Sequence, residues 1–311
     1  MRVAALDCGT NSLRLLVADL DGRSKHDVRR EMRIVRLGEG VDRTGVLSPA
    51  ALERTRAVLE QYGCWCTELG VERTRMVATS ASRDAANAGE LVLMVRATLG
   101  VDPEVVTGDE EATLSFDGAT RGLHEAPGPF LVVDIGGGST EFVLGTSAVV
   151  AACSVDIGCV RLTERHLSSD PPSARQVDAA TADVRAALAV VRERVPVRRA
   201  ATLVGLAGSV TTVAALALGL EAYDAARLHR SRISADAVRA VTGELLAQTR
   251  TQRADRPVMH PGRADVIGGG ALVLRTVLDE LGFDEVLVSE ADVLDGIAWS
   301  LAGPPAEVPH R

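Results

Sequence analysis

The sequence predicts an α/β protein made of two duplicated domains that face an interdomain cleft, and three observations support this fold class. A glycine-rich turn lies between two apolar runs at 131–144, and a similar turn occurs at 6–17. The strand-to-helix segments 76–81 and 203–209 are separated by nearly the same spacing. Self-similarity over such a long period is a fold-level signal. It indicates two related halves, each offering a turn of glycines and hydroxyls to the cleft.

The turn within 131–144 has the composition of an anion site. The segment reads L-V-V-D-I-G-G-G-S-T-E-F-V-L, the pattern of a strand, a tight turn and a second strand, although a purely structural hairpin is the alternative. Glycines let the backbone turn its N–H groups toward a ligand, and Ser139 and Thr140 add hydroxyls. Asp134 and Glu141 supply the oxygens that Mg²⁺ prefers. The three glycines are Gly136, Gly137 and Gly138.

The N-terminal turn repeats this pattern at an offset of 127 residues, which aligns Asp7 with Asp134. Gly9 and Ser12 occupy the glycine and serine positions of the later turn. A looser third correspondence joins residues 105–111 to 286–290. The duplication is what favours a ligand site over a structural hairpin.

Composition agrees with a two-domain enzyme. The 311 residues are 46% apolar, enough for two cores, and only 3% aromatic, so those cores must be aliphatic. A net charge of −8 argues against a nonspecific nucleic-acid binder. An anionic substrate would therefore need a local positive site.

The N-terminal sequence and the cysteine usage predict a cytoplasmic protein. The N-terminus enters a strand almost at once, without the features of a secretory signal. The uncharged segment 200–220 resembles a membrane span, but its glycines and hydroxyls favour a buried strand, turn and helix, so no membrane association is expected. Five cysteines without C-x-x-C spacing indicate neither a disulfide framework nor a zinc site; they are Cys8, Cys64, Cys66, Cys153 and Cys159.

The first half begins with a predicted hairpin at 3–20 and a basic strand at 26–37. A helix follows, with Ser48 as N-cap and Pro49 in its first turn. After the strand 75–79, Arg83 stands at a strand-to-helix junction, from which a guanidinium could bind phosphate through two nitrogens. A surface arginine is the alternative.

A helix at 87–99 and a strand at 104–107 lead to an acidic helix start at Gly108. Acids are favoured there by the helix dipole alone. Glu110 and Glu111 nevertheless point about 100° apart, so one can face solvent and the other inward. An inward carboxylate beside phosphate would have a raised pKa and could act as a base.

The stretch 125–129 is rich in Pro and Gly and is predicted to link domains 1–125 and 126–311, with the last helix packing back on the first domain. The second domain is predicted to contain strands at 149–157, helices at 174–195 and 264–281, and a third glycine and hydroxyl turn at 205–212. That turn suits close helix packing as well as ligand contact. The remaining predictions are a basic cluster at 227–232 with a solvated face, a loop at 257–263 with a structural His260, a strand at 285–288, a helix at 291–301 and a disordered proline-containing tail.

Six motifs in order make the chain resemble the exopolyphosphatase and guanosine pentaphosphate phosphohydrolase (Ppx/GppA) family, within the actin-like (ribonuclease H-like, ASKHA) fold group. The resemblance covers nearly the whole chain. The motifs are D-C-G-T-N-S at 7–12, A-T-S-A-S-R-D-A at 78–85, G-D-E-E-A at 108–112, D-I-G-G-G-S-T-E at 134–141, G-C-V-R-L-T-E at 158–164 and G-S-V-T at 208–211.

The resemblance implies a Mg²⁺-dependent hydrolase that removes terminal orthophosphate from linear inorganic polyphosphate, or the 5′ phosphate from guanosine pentaphosphate (pppGpp). Glu111 would be the general base that activates water, with Glu110 as a nearby substitute. Glu141 would orient the water, and Arg83 would neutralise the scissile phosphoryl group. The implied metal ligands are Asp134, Glu141 and Asp7. The implied phosphate-binding residues are Asn11, Ser12, Gly136, Gly137, Gly138, Ser139, Gly208 and Ser209.

The chain departs from the family in two ways. Thr10 stands where serine is usual, which keeps the hydroxyl, and the further helical domain related to HD hydrolases is missing. We therefore expect a preference for shorter polymers or a homodimer that completes the groove. A (p)ppGpp sensor without turnover is a second class of function, against which the presence of both Glu111 and Glu141 argues. An ATPase of the actin or sugar-kinase type would need a second substrate site that the sequence does not show.

Overall fold

The computed structural model describes residues 1–22, 24–123 and 125–302. They form two compact α/β units: unit 1 is Met1–Thr107 together with the C-terminal segment from Val293, and unit 2 is Gly108–Asp292. The division falls at Gly108, whereas the sequence placed it at 125/126. The tail predicted to be disordered lies beyond the described residues.

Three successive strands occur in each unit, and the later strands are separated by helices. The strands are β1 (Arg2–Cys8), β2 (Ser12–Leu20), β3 (Lys25–Ile34), β4 (Arg73–Ala78), β5 (Glu104–Val105), β6 (Phe130–Ile135), β7 (Thr140–Gly145), β8 (Val149–Val155), β9 (Thr202–Leu206), β10 (Arg232–Ser234) and β11 (Glu285–Val288). The α-helices are α1 (Val41–Thr44), α2 (Pro49–Glu68), α3 (Ser80–Asp84), α4 (Ala88–Leu99), α5 (Gly108–Thr120), α6 (Cys159–His166), α7 (Ala174–Arg194), α8 (Ala207–Ala217), α9 (Ala225–Leu228), α10 (Ala235–Ala247), α11 (Arg250–Ala254), α12 (Ile267–Leu281) and α13 (Val293–Ser300). Short 3₁₀ helices lie at Val197–Arg199 and Pro261–Arg263.

Unit 1 is built on a five-stranded sheet with the order β3-β2-β1-β4-β5. Strand β2 pairs antiparallel with both β1 and β3, while β4 pairs parallel with β1 and β5 parallel with β4. The core is mostly aliphatic, and α2 adds Leu59 and the buried Tyr62 to it. Ser48 caps α2 by accepting a hydrogen bond from Ala51 N at 3.2 Å, with Pro49 in the first turn, which confirms the predicted helix start.

Unit 2 repeats that sheet. Its order is β10-β11-β9-β6-β7-β8, in which β8-β7-β6-β9-β11 corresponds to the five strands of unit 1 and has the same strand directions. Strand β10 is an additional antiparallel edge. The predicted duplication is thus visible in the topology of each sheet, whereas β10 was missed because the sequence indicated only helix and loop over 224–251.

The ends of the two units are determined by where helices pack. Helix α5 packs on β7 and β8 and therefore belongs to unit 2, although it precedes the Pro- and Gly-rich stretch. Helix α13 packs on β1 and β2 of unit 1. Its buried Asp295 forms ion pairs with Arg30 at 2.8 Å and Lys25 at 3.0 Å.

Three successive glycines near the start of α12 allow close helix packing. A Cβ added to Gly269 would lie 2.6 Å from Thr163 Oγ1, and one added to Gly270 would lie 2.2 Å from Ser209 Oγ. The glycines therefore let α12 approach the beginnings of α6 and α8 closely.

The apolar segment 200–220 forms β9 and α8, both largely buried in unit 2. Over the described part of the chain, we find no helix with the length and hydropathy needed to cross a membrane.

Candidate active site

The glycine turn between β6 and β7 presents unpaired N–H groups. Gly136 N donates to Ser139 O at 3.1 Å, which closes the turn. The N–H groups of Gly137 and Gly138 have no hydrogen-bond partner among the residues that the structure describes. Such consecutive N–H groups form an anion-binding concavity. This is the arrangement that the glycine pattern predicts.

Helix α6 holds the other side of this turn. Cys159 N donates to Gly136 O at 2.9 Å, Val160 N to Gly137 O at 2.9 Å, and Gly158 N to Gly138 O at 3.0 Å. The first N–H groups of a helix lack partners within the helix, so here the turn carbonyls satisfy them. The carbonyls consequently face α6.

Two further features fix α6 against the turn. Arg161 Nε donates to Gly138 O at 2.9 Å. A Cβ at Gly158 would lie 2.3 Å from the Gly137 carbonyl, so only glycine permits this approach. The sequence placed both residues in a motif but did not identify this supporting role.

Two buried carboxylates lie beside the turn. Asp134 and Glu141 are cross-strand partners in the β6–β7 register, which puts their side chains on the same face. Asp134 Oδ2 accepts a hydrogen bond from Ser115 Oγ at 2.7 Å, and Glu141 Oε1 accepts one from Ser154 Oγ at 2.7 Å. The two carboxylates are thus held in place by hydroxyl donors from α5 and β8.

Helix α5 adds a third acid to this cluster. A Cβ at Gly108 would lie 2.5 Å from Ser154 Cβ, so the helix begins directly on β8. Glu110 is exposed and Glu111 is half-buried, as expected for neighbouring residues on a helix that point in different directions. The inward residue is thus Glu111.

Burial raises the pKa of Glu141 well above its ordinary value, and the charges of Glu111 and Asp134 raise it further. Hydrogen bonds from Ser139 and Ser154 act in the opposite direction. The like charges mean that a proton or a cation bound here would stabilise the cluster.

The donor set of this cluster fits Mg²⁺. Magnesium is usually bound by one or two carboxylates, with water and substrate phosphates completing its coordination. Asp134 and Glu141 provide two such carboxylates. In the described residues, no group of three or more His, Cys, Asp or Glu side chains is arranged to hold a metal by itself. A site that relies on water and phosphate for its other ligands is consistent with that arrangement.

Asp7, the third implied metal ligand, lies in unit 1 and has a different environment. Its Oδ2 accepts hydrogen bonds from Arg14 Nε at 2.8 Å and Arg14 Nη2 at 2.6 Å. Because this guanidinium already neutralises the carboxylate, a cation gains less from binding to Asp7 than from binding to the acids of unit 2.

The third turn, at the start of α8, contains a strained residue and an unexpected arginine. Ala207 has φ +67°, a left-handed conformation that costs a residue with a side chain about 1–3 kcal/mol. A Cβ at Gly208 would lie 2.3 Å from Arg263 Cζ, so the guanidinium rests directly on the Gly208 backbone. Arg263 Nη1 also lies 3.4 Å from Thr212 Oγ1. Sequence reasoning assigned residue 263 only to a loop, since a contact so distant in sequence has no local signature.

Ser209 links this third turn to the glycine turn. Ser209 and Cys159, at the starts of α8 and α6, both lie against Gly270 of α12: a Cβ there would lie 2.2 Å from Ser209 Oγ and 3.2 Å from Cys159 Cβ. The residues predicted from unit 2 are therefore gathered around the first turn of α6 and the adjoining strands; they are Glu111, Asp134, Gly136, Gly137, Gly138, Glu141, Ser139, Gly208 and Ser209.

The predicted residues of unit 1 lie around its own turn. Gly9 N donates to Ser12 O at 3.0 Å, the same closure as in unit 2. Asn11 O accepts hydrogen bonds from Val35 N at 3.0 Å and Arg36 N at 2.9 Å. Next to Asn11, the Thr10 hydroxyl is buried and finds no hydrogen-bond partner in the described chain.

Arg83 is half-buried in α3, where its Nη1 donates to Val106 O at 3.0 Å. Thr79 N, immediately before α3, donates to Cys8 O at the end of β1 at 3.1 Å. Cys8 ends β1 and leads into the unit 1 turn, so this bond holds the start of α3 beside that turn.

A repeated α/β topology with glycine turns and buried acids defines a class of phosphate-handling proteins, and comparison with known proteins identifies the family. The Ppx/GppA phosphatase family model matches residues 16–303. The chain belongs to that family.

Individual relatives support this family assignment. The chain is 53% identical to "Exopolyphosphatase 2" of Mycobacterium tuberculosis, with 97% of this chain and 99% of that protein covered. A solved structure described as an exopolyphosphatase-like protein has a TM-score of 0.94 and 41% identity, over 97% of this chain and 99% of its own. The PPX-GPPA enzyme of Aquifex aeolicus has a TM-score of 0.81 and 32% identity, with 96% and 99% covered.

Proposed function

We propose that this protein is an exopolyphosphatase, which hydrolyses terminal orthophosphate from linear inorganic polyphosphate. The observation that carries the proposal is the pair of buried acids Asp134 and Glu141 beside Glu111 and a turn with unpaired N–H groups. The full-length similarity to a relative named exopolyphosphatase supports it.

The arrangement suits phosphoryl transfer, which depends mainly on positioning and on stabilisation of charge. In our proposal Glu111 accepts the proton of the attacking water, because it is the inward acid of α5. The N–H groups of Gly137 and Gly138 bind phosphate oxygens, and Ser139 and Ser209 with Gly208 extend that surface. No covalent intermediate is needed.

Positive charge comes from arginines. Arg263 lies on Gly208 and is placed to neutralise a phosphate oxygen bound at that turn. We assign Arg83 to the scissile phosphoryl group, and Asn11 and Ser12 to phosphate binding, on the basis of the family motifs in unit 1.

Asp134 and Glu141 would hold Mg²⁺, which when bound would neutralise phosphate charge and lower the pKa of coordinated water. The chain's own contribution is to orient the two carboxylates through Ser115 and Ser154. Glu110, exposed on the same helix, is not assigned a catalytic role.

We expect chelation with excess EDTA to abolish orthophosphate release from polyphosphate and added Mg²⁺ to restore it, because the acids otherwise repel the phosphate substrate. Released orthophosphate measured before and after re-addition checks this. Asp134→Asn should raise the Mg²⁺ concentration required for half-maximal activity. Undiminished turnover after exhaustive chelation would contradict the metal assignment.

The substrate is tested by comparing orthophosphate release from polyphosphates of graded chain length with release from pppGpp at equal phosphate concentration. We expect polyphosphate to be hydrolysed faster, with a preference for shorter chains. Faster release from pppGpp would instead support a pppGpp 5′-phosphohydrolase, and binding of (p)ppGpp without release from either compound would support a sensor. All described cysteines are free, in keeping with the cytoplasmic location that we propose; the homodimer stays a prediction.

A further inference from the structure

A pocket in unit 2 lies among α7, α10 and α12, and its lining includes no residue of the glycine turns. It has a volume of about 240 Å³, enough for several waters or a small hydrated anion. Three arginines from the three helices converge on it. The lining residues are Thr181, Arg185, Arg239, Arg275, Thr276 and Asp279.

Carboxylates orient two of these arginines. Arg185 Nε donates to Glu280 Oε1 at 2.7 Å, and Arg239 Nε donates to Asp279 Oδ1 at 2.8 Å. Arg239 also donates from Nη1 to Asp236, which leaves its Nη2 for a ligand, whereas Arg185 is held through Nε and keeps both terminal nitrogens as donors. Oriented guanidinium groups of this kind recognise oxyanions through paired hydrogen bonds.

Arg275 is different from its two neighbours. It is half-buried in α12, and within the described residues its guanidinium makes no hydrogen bond or ion pair. Burial lowers the pKa of Arg275 and the charge of Arg185 lowers it further, while Asp279 acts in the opposite direction. A partly buried cation without a direct partner is unfavourable, and an anion in the pocket would offset that cost.

The threonines cannot take over the donor role. Thr181 Oγ1 donates to Val177 O at 2.8 Å, and Thr276 Oγ1 donates to Leu272 O at 2.7 Å. Both hydroxyl protons are therefore used within their own helices. The arginines are the donors that face a ligand.

We propose that this pocket binds a phosphate-type oxyanion, with Arg275 as its central ligand and Arg185 and Arg239 as flanking ligands. A tetrahedral dianion matches several guanidinium groups better than a single carboxylate, which one arginine can satisfy. The anion is either free orthophosphate or a phosphate of a polyphosphate chain. The proposal does not rest on the catalytic function, because none of its residues belongs to the candidate active site.

Calorimetric titration with orthophosphate tests this inference. We expect the wild-type protein to show, besides binding at the candidate active site, an orthophosphate binding event that Arg275→Ala weakens at least about ten-fold, because the substitution removes charged hydrogen-bond donors. Arg275→Lys should be intermediate, because it keeps the charge and loses the planar fork. Arg232→Ala, which removes an exposed arginine of the same unit, is the matched control and should bind like wild type.

Two further measurements deal with a variant that fails to fold and with the source of the bound anion. If Arg275→Ala does not fold, Arg185→Ala at the more exposed flank should weaken the same event. Titration of tripolyphosphate into Glu111→Gln and into the double variant Glu111→Gln, Arg275→Ala distinguishes the sources: the event lost in the double variant is tighter for tripolyphosphate than for orthophosphate at a polyphosphate site and is not tighter at a free-phosphate site. Unchanged orthophosphate binding in the arginine variants, or an equal loss in Arg232→Ala, would overturn the proposal.

Discussion

Replacing Glu111 by Gln should lower the rate of orthophosphate release at least about 100-fold while polyphosphate binding persists, because general bases contribute about 10²–10⁴-fold. Gln keeps the size of the side chain and cannot accept the proton of water. The substitution also removes a negative charge that raises the pKa of Glu141, so that pKa should fall toward its ordinary value.

Steady-state orthophosphate release and calorimetric binding of polyphosphate separate the two effects. Glu110→Gln is the matched control: it changes the exposed neighbour on the same helix and should stay near the wild-type rate. A Glu111→Gln rate within ten-fold of wild type, or an equal loss in both variants, would exclude Glu111 as the base.

Gly158→Ala should lower the activity about as much as Glu111→Gln, because the added Cβ would displace the backbone of the glycine turn. The added Cβ would lie 2.3 Å from the Gly137 carbonyl and 2.4 Å from Gly138 N, and neither backbone atom can move without displacing the turn. Overpacking of this kind costs about 1–3 kcal/mol of stability. We expect kcat/KM to fall at least about 100-fold, together with a lower free energy of unfolding in urea.

Gly243→Ala provides the control for this change. Gly243 is exposed within α10, and a Cβ there meets nothing within 4 Å. Alanine should therefore stabilise the helix by about 0.5–1 kcal/mol and leave turnover unchanged. If Gly158→Ala kept wild-type turnover, the supporting role of α6 would be wrong.

Much of the fold could be predicted from the sequence because the same pattern of strands and turns occurs twice in it. The repeated turns around Gly9 and Gly136 indicated two related halves, and both sheets share the same strand order. The acids of the β6–β7 hairpin were also predictable, since the two strands and the turn between them are adjacent in sequence. Local patterns carry such information directly.

The features that the sequence did not predict depend on contacts between residues that are far apart in the chain. The bonds from α6 to the glycine carbonyls, the position of Arg263 on Gly208 and the edge strand β10 have no periodicity or short motif that marks them. The boundary at Gly108 was missed for the same reason: a Pro- and Gly-rich stretch marks a turn, whereas packing of α5 determines which unit it joins.

The cross-strand registers show how the two copies of the hairpin became specialised. Asp7 faces Arg14 in one copy, and Asp134 faces Glu141 at the corresponding place in the other. Corresponding positions of the two hairpins thus carry opposite charges, Arg14 in one and Glu141 in the other. The first copy contains its own counter-ion, since Arg14 pairs with Asp7, while the second places two carboxylates opposite one another without such a cation at that position. The difference of charge at this one position therefore gives the two hairpins different electrostatic environments.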